Sequence, residues 1–149
     1  MPGQSGSRAR FFYEQKVKDC MTDDVVALGP ESTLHEAGDL FDRLDFNSMP
    51  VVKDGVLIGV LSKFDFMRAF AFTEEHPLPD YEGIMNTPLR KFTHEELITV
   101  TPDMPLTRVL QRMVERRTRS FPVVERGKMV GIISREDIIR ALKRSTAQN

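Results

Sequence analysis

The chain has 149 residues, of which 40% are hydrophobic and 29% charged, with a formal net charge of -1. That is enough apolar material for one compact domain or two small repeats sharing a core, and too much for a disordered chain. No apolar run approaches the roughly 18 residues that a membrane span needs, and the start MPGQSGSRAR lacks the apolar core of a signal peptide, so a cytoplasmic location without membrane contact is expected. Cys20 is the single cysteine, which excludes an intramolecular disulfide and reads as a buried thiol. His35, His76 and His94 are scattered without metal-ligand spacing, so no metal site is expected.

Charge is distributed by segment. Residues 17–72 hold 5 Lys/Arg against 10 Asp/Glu, a balance of -5, whereas residues 83–149 hold 13 against 7, a balance of +6. The basic half can attract an anion, although solvated helix faces account for much of such charge.

In chain order, the N-terminal segment 1–16 holds a Gly/Ser/Arg-rich tail over residues 1–9 and a short helix that begins at Arg10 and runs over RFFYEQKVK to Lys18. Residues 17–72 then read as strand, helix, strand, strand, helix. Val25–Leu28 is a short apolar run stopped by Gly29-Pro30. Ser32 or Thr33 can cap a helix whose apolar residues Leu34, Ala37, Leu40, Phe41 and Leu44 keep three-and-four spacing. The strands PVVK and VLIGVL are joined by Asp54-Gly55, a pair suited to positive φ in a tight hairpin, and Phe64 to Phe72 closes the unit as a helix. Residues 73–82 are acidic and proline-punctuated and read as a linker.

Residues 83–145 repeat the pattern, with a helix from Pro105 to about Arg117, a hairpin turn at Arg126-Gly127, a closing helix from Arg135 to about Arg144, and a tail at 146–149. From Pro30 to Phe72 the match at a shift of 72 residues has no gap. Ahead of the second unit's first strand, aligning Met21 with Met85 makes the stretch NTPLRKFTHEE about eight residues longer than its counterpart TDD, an apparent insert. Two such units cover their sheets most simply by packing about a pseudo-twofold axis, which leaves clefts between the repeats for a ligand.

Each repeat ends in one motif: GVLSKFD at Gly59–Asp65 and GIISRED at Gly131–Asp137. A Ser at a strand-to-helix turn with a carboxylate three residues on is a form of capping box. The same geometry offers a phosphate a hydroxyl and helix N-terminal amides, while the Asp can accept from two vicinal hydroxyls, as on a ribose.

The duplicated order, with an xPVV strand and a closing G-h-h-S-x-x-D, resembles a tandem pair of CBS domains over roughly residues 17–145, an α/β (α+β) fold of two β-α-β-β-α repeats. The resemblance implies binding of AMP, ADP, ATP, NAD or S-adenosylmethionine as regulatory ligands, with no required cofactor. It implies Asp65 and Asp137 as ribose acceptors, and Ser62 and Ser134 toward phosphate or ribose, with Lys63 and Arg135 beside them. By the same resemblance Arg119, Ser120 and Phe121, ahead of Pro122, reach phosphate, as Asn47, Ser48 and Met49 do ahead of Pro50. Met49, Pro50, Phe121 and Pro122 are candidate adenine contacts that core packing explains as well. Thr22 with Val26, and Thr87 with Ile98, fall where the family lines the ribose and adenine pocket. Arg119 and Arg135 favour the Asp137 copy for the more anionic ligand.

The resemblance further implies a homodimer through the closing helices, with Phe66, Met67, Phe70, Ile138, Ile139 and Leu142 as interface candidates, and an effector protein that receives the signal. A ligand-free structural interaction module is the alternative; loss of the Asp would mark it, and both are retained. G-x-x-S is not a nucleophile elbow and no His lies near either Ser in sequence, so an enzyme is not expected. Arg112, Arg116, Arg117 and Arg119 lack the interleaved aromatics of a nucleic-acid surface.

Overall fold

The computed structural model describes residues 11–71, 74, 75, 77–93 and 97–146. The tail 1–10, Phe72, Thr73, His76, His94 and residues 147–149 therefore lie outside the described residues, as do parts of the expected linker. The elements are α1 (Val17–Cys20), α2 (Leu34–Arg43), β1 (Ser48–Lys53), β2 (Val56–Ser62), α3 (Lys63–Arg68), α4 (Tyr81–Met85), α5 (Leu106–Arg116), β3 (Ser120–Glu125), β4 (Lys128–Ser134) and α6 (Arg135–Thr146), with single 3-10 turns at Phe12–Glu14 and Leu89–Lys91. The two sheets are antiparallel hairpins, β1-β2 and β3-β4.

Both hairpins turn where the sequence predicts. Asp54-Gly55 has φ of 52° and 81°, and Arg126-Gly127 has 52° and 79°, the pair of positive values a two-residue turn requires. Thr33 caps α2 by accepting from the Glu36 amide at 3.3 Å, while the Ser32 hydroxyl accepts from the Gly29 amide at 3.1 Å.

The expected first strand of each repeat is reduced to a single parallel bridge, Leu28 with Val51 and Val100 with Val123. Leu28 donates to the Pro50 carbonyl at 3.0 Å and its own carbonyl accepts from Val52 at 2.7 Å. Pairing cannot run on, because the Gly29 amide is taken by Ser32 and Pro30 has no N–H.

The chain divides into two compact units that do not follow the sequence repeats. One, the Asp65 unit, comprises Val26–Leu97 with Gly127–Met129; the other, the Asp137 unit, comprises residues through Val25, Ile98–Arg126 and residues from Val130 on. The Asp65 core gathers Leu28, Leu34, Ala37, Met49, Val51, Leu61 and Leu89. The Asp137 core gathers Val17, Val100, Leu106, Val109, Met113, Phe121, Val123, Ile133, Ile138 and Ala141. Leu89 and Val17 thus each fill the core built mainly from the other repeat.

Backbone bonds in the two units show that this exchange is in register. Val17 donates to Met104 (2.9 Å) as Leu89 does to Ser32 (2.8 Å), Lys18 to Pro102 (2.9 Å) as Arg90 to Pro30 (3.1 Å), and Leu106 to Gln15 (3.0 Å) as Leu34 to Thr87 (3.2 Å). Every residue here stands 72 positions from its counterpart. The repeat therefore reaches back to Gln15 and Thr87 without a gap, and the apparent insert after Met85 is a misalignment. Met21 matches Thr93, not Met85; residues 81–85 form α4, where residues 9 and 10 of the counterpart stretch lie outside the described residues. The sequence misled because two chance methionines outweighed the modest likeness of Val17 to Leu89.

Candidate functional site: two serine–aspartate helix starts

The motif glycine, serine and aspartate do separate jobs in each unit. At Gly59 an added Cβ would lie 2.7 Å from the Thr93 Cβ, and at Gly131 it would lie 2.8 Å from the Thr22 carbonyl oxygen. Only glycine lets the segment ahead of a first strand cross the hairpin this closely. In the Asp137 unit the crossing is fixed by a bridge: Thr22 donates to Ile132 at 2.9 Å and Ile132 to Thr22 at 2.8 Å.

Ser62 is the N-cap of α3, and its hydroxyl accepts from the Asp65 amide at 3.0 Å. Asp65 Oδ2 accepts from the Ser62 amide and from the Ser62 hydroxyl, both at 2.9 Å, and Asp65 Oδ1 accepts from Arg68 at 3.1 Å. The Asp137 unit repeats this: the Ser134 hydroxyl accepts from the Asp137 amide at 3.2 Å, Asp137 Oδ2 accepts from the Ser134 amide (2.9 Å) and hydroxyl (3.0 Å), and Arg140 pairs with Oδ1. Both carboxylates are buried, 1% and 2% exposed. The capping-box reading is thus satisfied in full. The arginines are the less committed partners, since their side chains are 58% and 60% exposed.

The other predicted positions divide. The Arg119 carbonyl accepts from the Arg135 amide at 2.9 Å, and Arg135 Nε donates to the Thr118 carbonyl at 3.1 Å, so Arg119 and Arg135 do meet; Asn47 and Lys63 repeat the backbone bond at 2.9 Å. Arg119 and Arg135 are exposed, Ser120 is half-buried, and Ser48 lies directly across the hairpin from Ser62. Met49 and Phe121 are enclosed in the cores, Pro50 is buried, and Pro122 is half-buried. Val26 and Thr22 are exposed. Thr87 instead spends its hydroxyl on the Gly83 carbonyl at 2.8 Å, at the end of α4.

A cavity of about 320 Å³ opens beside the first motif, lined by Asp65, Arg68, Ala69, Lys91, Phe92 and Thr93. Its volume lies in the small-molecule range. Lys91, Phe92 and Thr93 were missed by the sequence reading. The signal was present in the 72-residue shift, had it been carried back past Pro30. Cys20 is half-buried, and its thiol donates to Gln15 Oε1 at 3.0 Å. Burial raises its pKa above the ordinary value, with Arg144 pulling the other way. Among the described residues no group of His, Cys, Asp and Glu is placed to hold a metal ion, and no helix is long and apolar enough to cross a membrane.

A tandem β-hairpin fold closed by two identical serine–aspartate helix starts defines a class, and comparison with known proteins names it. A model of the CBS domain family matches residues 17–72 and 83–144, and the chain belongs to that family. It is 32% identical to the CBS domain-containing protein YhcV of Bacillus subtilis over 82% of this chain and 81% of that one. It is 28% identical to the A-adding tRNA nucleotidyltransferase of Geobacter sulfurreducens over 88% of this chain, but spans only 14% of that enzyme. Among solved structures, CBSX2 in complex with AMP superposes with a TM-score of 0.75 (21% identity, 88% of this chain, 98% of that one). The CBS pair of MJ0100 in complex with 5′-methylthioadenosine and S-adenosyl-L-methionine superposes at 0.69 (23% identity, 87% and 96%).

Proposed function

We propose that this chain is a regulatory CBS pair that binds an adenosine-containing ligand at the cavity beside Asp65, with Asp137 offering an equivalent acceptor. The observation that carries the reading is the composition of that cavity. Asp65 supplies a carboxylate for ribose hydroxyls, Phe92 an aromatic face, Thr93 a hydroxyl, and Lys91 with Arg68 two cations for phosphate. Asp65 already accepts from the Ser62 amide, the Ser62 hydroxyl and Arg68, so a ribose takes the place of the exposed Arg68 side chain. Arg68 swings from Oδ1 to the phosphate, and two charge-assisted contacts replace one. Arg140 stands ready for the same exchange at Asp137. This choice of cavity departs from the expectation that Arg119 and Arg135 mark the more anionic site.

AMP, ADP, ATP, NAD and S-adenosylmethionine are the ligand candidates. The bound state favours one arrangement of the chain or its partners over another, which is the condition for signalling. On this reading the protein is cytoplasmic, self-associates and reports to an effector protein; it performs no reaction of its own. Self-association draws support from Met67 and Ile139, which are 65% and 55% exposed; the other interface candidates are less available, since Ile138 is buried and Phe66, Phe70 and Leu142 pack against the cores.

A second reading has its own observation: the two carboxylates are fully employed as caps, as they would be in a ligand-free interaction module. Calorimetry separates the two. Micromolar binding of AMP is expected, with Lys91→Ala weakening AMP about tenfold and leaving the phosphate-free 5′-methylthioadenosine unchanged. No heat from any of these ligands, in folded protein, would leave the interaction module as the answer.

A further inference from the structure

The frame that the two units share holds opposite charges at one position. Lys91 lines the Asp65 cavity, and 72 residues earlier stands Asp19. The backbone makes the two positions equivalent: the Lys91 amide donates to the Pro88 carbonyl at 3.2 Å, and the Asp19 amide to the Lys16 carbonyl at 3.0 Å. The neighbouring ion pair is the same in both units, Arg90 with Glu31 at 2.9 Å and Lys18 with Asp103 at 3.1 Å. The change of sign is therefore local. The next two residues change in kind as well, from Phe92 and Thr93 to Cys20 and Met21.

The Asp19 segment approaches Asp137 as the Lys91 segment approaches Asp65. A Cβ added at Gly131 would lie 2.9 Å from the Met21 sulfur, just as one at Gly59 would meet Thr93. Burial raises the pKa of the Cys20 thiol, Arg144 opposes the rise, and the charges of Asp19 and Asp137 add to it. Both carboxylates thus act on one side chain.

We infer that the two acceptors divide their ligands by charge: the Asp65 cavity takes adenosine with an anionic 5′ phosphate, and the space beside Asp137 takes adenosine with a cationic 5′ substituent, Asp19 setting the difference. The division rests on the nucleotide reading above and gives it selectivity. Beside Asp65, Lys91 and Arg68 are two cations against one carboxylate. Beside Asp137, Arg140 and Arg144 stand with Asp137 and Asp19, so the charges balance. A phosphate brought there loses a cation and meets a carboxylate, whereas a sulfonium or ammonium group gains a partner; specificity of this kind needs the repulsion as well as the attraction. Met21 also removes the hydroxyl that Thr93 can donate to a phosphate. Arg119 and Arg135 do not reverse the balance. Their counterparts Asn47 and Lys63 are not among the residues lining the Asp65 cavity, which puts both arginines outside the matching space.

Competition calorimetry tests the division with two probes: AMP, an anion, and S-adenosylmethionine, whose sulfonium and ammonium groups outweigh its carboxylate. One AMP per chain is expected, and S-adenosylmethionine should bind AMP-saturated protein as it binds free protein. Asp19→Asn keeps an acceptor for the Lys16 amide, which Asp19 Oδ2 now takes at 2.9 Å, and removes the charge. It should weaken S-adenosylmethionine about tenfold. Asp19→Lys should go further and open a second AMP site. AMP that displaces S-adenosylmethionine, two AMP per wild-type chain, S-adenosylmethionine that does not bind, or unchanged affinity for it in Asp19→Asn overturns the division and leaves the nucleotide reading standing. No heat from either probe overturns both. The competition needs no variant, so it decides even where Asp19→Lys, which loses the cap, fails to fold.

Discussion

At the residue scale the motif's aspartate holds two roles that are usually told apart. As a cap it satisfies the Ser62 amide and orients the Ser62 hydroxyl; as a buried anion it holds Arg68 at the mouth of a cavity. The glycine six residues earlier is set by proximity alone, since Thr93 leaves no room for a side chain. Gly59→Ala is therefore expected to cost about 1–3 kcal/mol of stability from overpacking. Thr93→Gly, harmless to this contact by itself, should relieve part of that cost in the double variant, a coupling that urea denaturation of the four proteins measures. Additive effects would mean that the crossing segment gives way freely.

At the element scale much was legible. The hairpins followed from Asp54-Gly55 and Arg126-Gly127, the capped helix from Thr33 and its apolar face, and the motif helices from Ser62 and Ser134. These are local signals, each contained within a few residues. What could not be read locally was which unit a segment joins. The 3-10 turn at Leu89–Lys91 belongs to the second repeat by sequence, yet Leu89 is fully buried in the Asp65 core beside Leu34. Val17 does the same in the Asp137 core. The exchange depends on long-range backbone pairing that leaves no periodic trace, and the candidate site suffered with it: Thr87 was named where Thr93 and Lys91 stand. Leu89→Ala is expected to destabilise the Asp65 unit by about 2–5 kcal/mol, as much as Leu34→Ala, because both leave a core cavity. Equal loss in the two variants, read from chemical denaturation, would establish the exchange; a negligible loss for Leu89→Ala would place it outside the core.

At the scale of the whole molecule, duplication has produced two units with the same helix starts and different chemistry around them. The acidic first repeat and basic second repeat differ by 11 charges, from -5 to +6, on one plan of hydrogen bonds. Equal frames with unequal surroundings suit a sensor in which the two acceptors need not respond alike. The central claim is that the buried aspartate contacts ligand as well as backbone. Titrating AMP calorimetrically into wild type and Asp65→Asn tests it most directly, since asparagine keeps an acceptor for the Ser62 amide. The account predicts at least about a tenfold loss of affinity in the variant, beyond any loss of stability, with the protein still folded. Undiminished AMP binding by Asp65→Asn, with only a lower melting temperature, would contradict it and leave Asp65 as a helix cap alone.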